Sequence, residues 1–136
     1  MTTSDATATG PLARKALEFQ DIVKRTVVAA KEPGFGPEGW AELGELVAVD
    51  RFERIGTFME VMDWPEYTVF MTKWAKRGEF ATTLRRVSEV PGVAYLEIEE
   101  RHTRGDDITV VNSLTVFAFD DAGLITHLDV YLQAPR

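Results

Sequence analysis

The sequence predicts an α+β fold, in which a strongly curved antiparallel sheet wraps over three N-terminal helices. Apolar residues recur at spacings of three and four in the first half of the chain, which is the period of a helix. Long strand-like runs separated by short turns fill the second half. Short connections force neighbouring strands to be antiparallel, and helices followed by strands are typical of α+β domains.

Length and composition indicate one globular domain. The chain has 136 residues, 45% of them hydrophobic and 27% charged, so we expect a single domain over residues 11–136. Residues 1–10 are rich in Thr and Ala without periodicity and are expected to form a flexible tail. They lack the pattern of a secretory signal, so a cytoplasmic location is expected.

Composition also limits which reactive groups and which classes of partner the protein can have. The sequence has no cysteine, which leaves the carboxylates and two histidines as its reactive groups. A net charge of −7 disfavours nucleic acid as a partner, and no apolar run approaches the ~18 residues of a membrane span. The histidines lie far apart without metal-ligand spacing, and phosphate-binding glycine loops are absent, so we expect no metal and no cofactor.

The first two helices are predicted from apolar stripes. Pro11 suits the first turn of the first helix. Its stripe consists of Leu12, Ala16, Phe19, Val23 and Val27. A break rich in Pro and Gly follows at residues 32–37. The second, short helix has a stripe of Trp40, Leu43 and Val47.

The third helix and the strands are marked by local signals. Asp63, with Glu66 three positions later, has the pattern of a capping box, and Gly78 is predicted to end the helix. A strand is predicted before it, over Arg51 to Met59. Four more are predicted over residues 80–90, 93–103, 108–119 and 124–133.

The closing hairpin carries a family resemblance. Residues 117–131 read FAFDDAGLITHLDVY, an aromatic strand, an acidic-Gly turn and a second strand ending in Tyr. This hairpin and the order of elements over residues 12–133 resemble the SnoaL-like branch of the nuclear transport factor 2 superfamily. The resemblance implies a cone-shaped α+β barrel whose open end admits a ligand, and a homodimer. The superfamily includes polyketide cyclases, ketosteroid isomerases, limonene epoxide hydrolases, scytalone dehydratases and non-catalytic binding proteins, so it does not choose the activity.

Strand alternation over residues 93–103 suggests which side chains face a pocket. One face carries Ala94, Leu96, Ile98, Glu100 and His102. We therefore expect Leu96 and Ile98 to bind ligand and Glu100 and His102 to lie at the pocket mouth; the alternative for His102 is a strand-end histidine near solvent. The resemblance puts Glu100 at the catalytic carboxylate of the epoxide hydrolases, although Ile98 replaces the arginine expected beside it.

Two further carboxylates are candidates. The resemblance places Glu53 near a water-binding tyrosine of the epoxide hydrolases, and the alternative is a surface carboxylate in a salt bridge. Ile55 replaces the general base of the ketosteroid isomerases. In the last strand Leu128 and Val130 belong to the apolar face, with Val130 where many cyclases carry an acid. Asp129 faces inward only if the strand contains a bulge; otherwise it lies with His127 on a solvent or dimer face.

Aromatic side chains on the helices complete the predicted pocket. Trp40, Tyr67, Phe70 and Trp74 lie on apolar stripes, where most are expected in the core. One or two are expected to line a cavity suited to a flat or polycyclic ligand.

These features favour a cofactor-independent enzyme that acts on a small hydrophobic metabolite by proton transfer, as a cyclase, isomerase or dehydratase. Glu53, Glu100 and His102 would form the acid/base cluster, with Asp129 as a further catalytic candidate. The alternative is a non-catalytic binding protein, which the apolar residues at positions 55, 98 and 130 favour. A third hypothesis is a dimeric interaction module, which requires an exposed apolar patch.

Overall fold

The computed structural model describes residues 10–135, so all but the last residue of the predicted tail lies outside the described residues. Its helices are α1 (Pro11–Ala29), a 3₁₀ turn (Pro37–Trp40) that continues into α2 (Ala41–Gly44), and α3 (Trp64–Arg77). Its strands are β1 (Glu53–Ile55), β2 (Val61–Met62), β3 (Glu79–Val90), β4 (Val93–Arg104), β5 (Asp107–Phe119) and β6 (Ile125–Gln133). No helix within residues 10–135 is long and apolar enough to cross a membrane.

The strands form one curved sheet in the order β2-β1-β6-β5-β4-β3. The sheet does not close, because β2 and β3 form its two edges. All neighbouring strands are antiparallel except β1 and β6, which are parallel. The helices pack on one face, called here the inner face, where Leu96, Phe117 and Leu128 are each 1% exposed. The α+β prediction is confirmed.

Helix α1 buries the predicted apolar stripe against β3 and β4. A residue of the sheet caps its first turn: the Glu89 carboxylate of β3 accepts hydrogen bonds from the backbone N–H groups of Leu12 and Ala13, each at 3.0 Å. A helix begins with N–H groups that have no partner in the helix, and a carboxylate there also interacts favourably with the helix dipole. Glu89 thus fixes α1 on the sheet.

Helix α3 begins as the sequence predicts. The Asp63 carboxylate accepts from the backbone N–H of Glu66 at 2.9 Å, and the Glu66 carboxylate accepts from that of Asp63 at 3.0 Å. The helix ends before Gly78, but this glycine is extended rather than left-handed. Gly78 is needed for another reason: a Cβ atom there would overlap the carbonyl oxygen of Thr103 in β4. The close approach joins the end of α3 to the sheet.

The region between α2 and α3 differs from the prediction. A continuous strand over Arg51 to Met59 was expected, but only Glu53–Ile55 is a strand, and Val61–Met62 forms a second short strand that was not predicted. The chain turns back at Met59, whose φ is 67°, so that β2 pairs with β1. The other edge of β1 pairs with β6, far away in sequence.

The four long strands match the predicted meander to within one residue at each end. The last turn is held by Asp120, whose carboxylate accepts from the backbone N–H groups of Leu124 at 2.9 Å and Ala122 at 3.0 Å. The hydrogen bond from the Leu124 N–H has the largest effect and lowers the pKa of Asp120. Desolvation opposes it, while Arg51 and the Ala122 N–H lower this pKa further. The turn therefore uses the acidic-Gly sequence that suggested it.

Candidate functional site

A cavity of about 240 Å³ lies between the inner face of the sheet and helices α1 and α3. Its wall is mostly apolar, with contributions from α1, α3 and every strand except β2. The polar or ionisable residues of the wall are Gln20, Arg54, Tyr67, Glu100, His102 and Thr115. A concave apolar space with a few polar groups is the usual form of a small-molecule site.

Glu100 and His102 enter this cavity together from β4. They share the inner face because they are two residues apart, and His102 Nε2 lies 2.9 Å from Glu100 Oε1. The two side chains are only 24% and 17% exposed for His102 and Glu100. The His102 ring packs against Trp74 and Phe80, with centroids 6.0 and 5.2 Å away. The carboxylate and the aromatic rings thus fix the orientation of the imidazole.

Tyr67 of α3 lines the same cavity. Burial, the largest effect, raises the pKa of its hydroxyl from 10.0 to about 12. The positive charge of Arg54 lowers this pKa and the negative charge of Glu100 raises it, by smaller amounts. Tyr67 therefore stays protonated over the physiological range and can donate a hydrogen bond there.

Arg54 reaches the cavity from the middle of β1. It pairs with Leu128 of β6, a cavity residue, so both side chains belong to the same row of the sheet. The guanidinium carbon lies 5.5 Å from the centroid of Tyr67 and 5.2 Å from that of Phe70, over the faces of both rings. Such cation–π contacts hold a guanidinium against an apolar wall. The salt bridges found within residues 10–135 do not include Arg54.

Gln20 of α1 lines the cavity and carries an unpaired, buried donor. Its Nε2 atom is buried and has no hydrogen-bond partner among the described residues. Buried amide groups are nearly always hydrogen-bonded, and leaving one unpaired costs on the order of 1–3 kcal/mol. A bound ligand with an acceptor oxygen would satisfy it.

A second, larger cavity of about 460 Å³ adjoins the first at the C-terminal end of α3. The two share Phe70, Trp74, Phe80 and His102, so His102 lies where they meet. The charged residues around the second cavity are Lys73, Arg77, Glu79 and Arg104.

Glu53 and Asp129 lie outside both cavities, on the outer face of the sheet. Glu53 pairs with His127, and Ile55 pairs with Asp129, in the parallel register of β1 and β6. His127 Nδ1 is 3.4 Å from Glu53 Oε1, and His127 Nε2 is 2.9 Å from Asp129 Oδ1. The expectation that Glu53 joins Glu100 and His102 in one cluster is corrected by this geometry: Arg54 occupies the inward position.

The inward placement of Asp129 required a bulge in β6. The register does shift, since Ala118 pairs with His127 but Phe119 pairs with Ile125. The extra residue is Thr126. Beyond it Leu128 is 1% exposed on the inner face, so its neighbour Asp129 lies on the outer face with His127.

The predicted ligand-binding residues divide into two groups. The first lines the cavity and consists of Tyr67, Phe70, Trp74, Leu128 and Val130. The second lies in the packed core away from it and consists of Trp40, Leu96 and Ile98. Trp40 is 1% exposed and donates from Nε1 to Thr72 Oγ1 at 3.0 Å. These three are corrected to core residues: Leu96 and Ile98 lie where the helices pack on β4, and Trp40 lies between the 3₁₀ turn and α3.

Two cavity residues, Arg54 and Gln20, were not among the predicted site residues, although the sequence carries a signal for Gln20. Gln20 lies four residues after Ala16 and three before Val23, so it interrupts the apolar stripe of α1 with a polar group. Arg54 has no such signal, because its facing depends on the packing of Phe52 against Trp64 in the folded chain. Among residues 10–135, no group of three or more His, Asp or Glu side chains is arranged to hold a metal ion.

Comparison with solved structures identifies similar folds. A protein assigned as a SnoaL-like polyketide cyclase from Shewanella putrefaciens CN-32 superposes with a TM-score of 0.70 and 7% identity, over 95% of this chain and 84% of the other. Another from Jannaschia sp. CCS1 gives 0.66 and 11%, over 92% and 90%. An LEH-like epoxide hydrolase from M. tuberculosis gives 0.59 and 16%, over 83% and 84%.

At the level of sequence the comparisons are negative: no protein-family model matches the chain, and no curated protein does. Because the identities are only 7–16%, the structural similarity to these three proteins establishes the fold alone. The same fold occurs with different names among them, so fold similarity does not assign a reaction. The chain has the nuclear transport factor 2-like fold that its closing hairpin predicts, and its solved neighbours include SnoaL-like proteins.

Proposed function

We propose that the protein is an acid/base catalyst that moves a proton on a small hydrophobic molecule bound in the 240 Å³ cavity. The observation that carries this proposal is the Glu100–His102 pair, hydrogen-bonded at 2.9 Å on a mostly apolar wall. A histidine oriented by a carboxylate is a common general base, because its unperturbed pKa of ~6.5 is close to neutral pH.

The pair supports a simple proton cycle. With the Nε2 hydrogen donated to Glu100, the Nδ1 lone pair of His102 is free to accept a proton from a carbon next to a carbonyl group. The C–H electron pair moves into an enolate, and the Glu100 carboxylate stabilises the imidazolium. Return of the His102 proton to another carbon completes an isomerisation. Expulsion of a β-hydroxyl group, which takes the His102 proton and leaves as water, gives a dehydration. Attack of the enolate carbon on a second carbonyl group, whose oxygen takes the proton, gives a cyclisation. Protein side chains supply every group in this cycle.

Deuterium incorporation tests the proposal without knowledge of the product. The protein is incubated in D₂O with a panel of small hydrophobic ketones, and exchange next to the carbonyl is followed by NMR. We expect exchange by the wild type and a loss of roughly 100-fold or more in Glu100→Gln and in His102→Gln. Glu53→Gln is the matched control, because it removes a carboxylate that lies outside the cavity, and its exchange rate should be unchanged.

The second candidate function is that of a hydrophobic-ligand-binding protein without catalysis. Two residues favour it. Val130 gives the cavity wall an apolar side chain where many cyclases carry an acid. Ile98, buried in the core, stands where the epoxide hydrolases carry an arginine. Tight binding of panel compounds with no exchange above the buffer rate would support this alternative and reject the acid/base proposal.

We also propose that the protein forms a homodimer through the outer face of β4, β5 and β6. The helices cover only the inner face, so within residues 10–135 the outer face has no covering layer. Side chains of Tyr95, Leu114, Val116 and Tyr131 lie in adjacent rows there. A second copy of this chain would bury them.

A further inference from the structure

Arg54 forms no salt bridge with any residue of the range 10–135, although the protein is acidic. The net charge is −7, yet within residues 10–135 no carboxylate comes within 4.0 Å of the Arg54 guanidinium. The group lies over the rings of Tyr67 and Phe70 at the cavity wall rather than in open solvent. A partly desolvated charge is unfavourable unless it is paired, and a guanidinium matches the geometry of a carboxylate. An anionic group of a ligand would supply a salt-bridge partner here.

Gln20 makes the same demand independently. Its buried Nε2 can only donate, and no acceptor of the described residues is in reach. Gln20 and Arg54 come from α1 and β1, on different elements, yet both line the one cavity. A ligand that offers an acceptor to each of them would satisfy both.

The charge around the neighbouring cavity favours an anion as well. Lys73, Arg77 and Arg104 line it together with a single carboxylate, Glu79. The surroundings of this cavity are therefore positive, whereas the whole protein is negative. A cleft lined by one sign of charge attracts ligands of the opposite sign.

We propose that the cavity selects hydrophobic ligands that carry an anionic oxygen, a carboxylate or an enolate, which pairs with Arg54 and accepts from Gln20. This inference rests on the proposed function only in that it concerns the ligand of the same cavity. The anionic end lies at Arg54 and the hydrophobic body lies against Phe117 and Leu128.

Equilibrium binding tests the inference with three probes of similar size: 2-naphthoate, 2-naphthamide and the enolate of a cyclic 1,3-diketone. Isothermal titration calorimetry gives a dissociation constant for each. We expect at least one anion to bind about 10- to 100-fold more tightly than the neutral amide, as one charge-assisted hydrogen bond permits. Tighter binding of naphthoate identifies a carboxylate ligand, and tighter binding of the diketone identifies an enolate.

Variants locate the effect. Arg54→Met should abolish the preference for anions, Arg54→Lys should keep part of it, and Gln20→Leu should weaken anion binding while leaving the protein folded. Arg14→Met is the matched control, because it removes an equal charge from the exposed side of α1. Equal binding of all three probes, binding of none, or an anion preference that survives Arg54→Met would overturn the inference.

The two proposals fail in distinguishable ways. Deuterium exchange that depends on Glu100 and His102, together with no preference for anions, would reject the anion site and leave acid/base catalysis standing. Anion binding that depends on Arg54, with no exchange, would support the anion site and leave a binding protein.

Discussion

Burial keeps the Tyr67 hydroxyl protonated well beyond the pH at which a solvated tyrosine ionises. Its pKa rises from 10.0 to about 12, mainly through desolvation. The folded state therefore holds the proton more tightly than the unfolded state. This contribution to stability is fully present below pH 10 and is lost as the pH rises from 10 towards 12.

We expect the wild type to lose more stability than Tyr67→Phe between pH 8 and pH 11.5. A shift of two pKa units corresponds to roughly 2–3 kcal/mol, and most of this should be lost over that interval. Urea unfolding of both proteins at the two pH values measures it, because groups other than Tyr67 contribute equally to both. An equal loss in the two proteins would show that Tyr67 ionises normally.

The side chains that sequence reasoning placed correctly belong to long, regular strands. Glu100 and His102 follow Leu96 and Ile98 in an uninterrupted alternation, so their face could be deduced from β4 alone. Arg54 could not be placed in this way, because β1 has only three residues and its facing depends on packing of Phe52 against Trp64. A short strand carries too few residues to show its own period.

At the scale of elements, α3 positions much of the cavity wall. It carries Tyr67, Phe70, Met71 and Trp74, so an error in its first turn would move all of them. The capping box at Asp63 and Glu66 fixes that turn through two hydrogen bonds.

Removal of this cap should destabilise the protein while leaving the fold intact. We expect Asp63→Ala to lower the free energy of unfolding by about 1 kcal/mol, because the N–H of Glu66 loses its acceptor. Asp63→Asn keeps an acceptor oxygen and should cost less. Urea denaturation measures both; an equal loss in the two variants would show that charge rather than the hydrogen bond stabilises the turn.

Elements with local signals were predicted, and those fixed by distant contacts were not. The capping box and the three long hairpins depend on residues close together in sequence. The pairing of β1 with β6 and the short β2 depend on contacts formed only in the folded chain. The predicted strand over Arg51 to Met59 was too long for this reason, since only Glu53–Ile55 is a strand.

At the scale of the whole molecule, the sheet has one covered face and one open face. Tyr95 pairs with Val116, and Leu114 pairs with Tyr131, so half-buried and exposed apolar side chains adjoin across three strands. Tyr131 is 56% exposed. The proposed dimer would remove this surface from water.

We expect Tyr131→Glu to convert the dimer to a monomer, because two carboxylates would be buried at the symmetric interface. Analytical ultracentrifugation over a range of concentrations measures the dissociation constant. Val28→Glu is the control: Val28 is 74% exposed on α1, and its substitution should leave the dimer intact. A wild type that sediments as a monomer at every concentration would reject the proposal.

The register of the three-residue strand β1 determines which charged side chain it places in the cavity. Glu53 and Arg54 are adjacent and point to opposite faces, and the register of β1 on β6 places Arg54, not Glu53, in the cavity. A slip of one residue would exchange a cation for an anion there without any substitution. The sign of the charge that β1 contributes to the cavity therefore depends on the register of two strands. A one-residue insertion or deletion in the loop before β1 would change that sign in one evolutionary step.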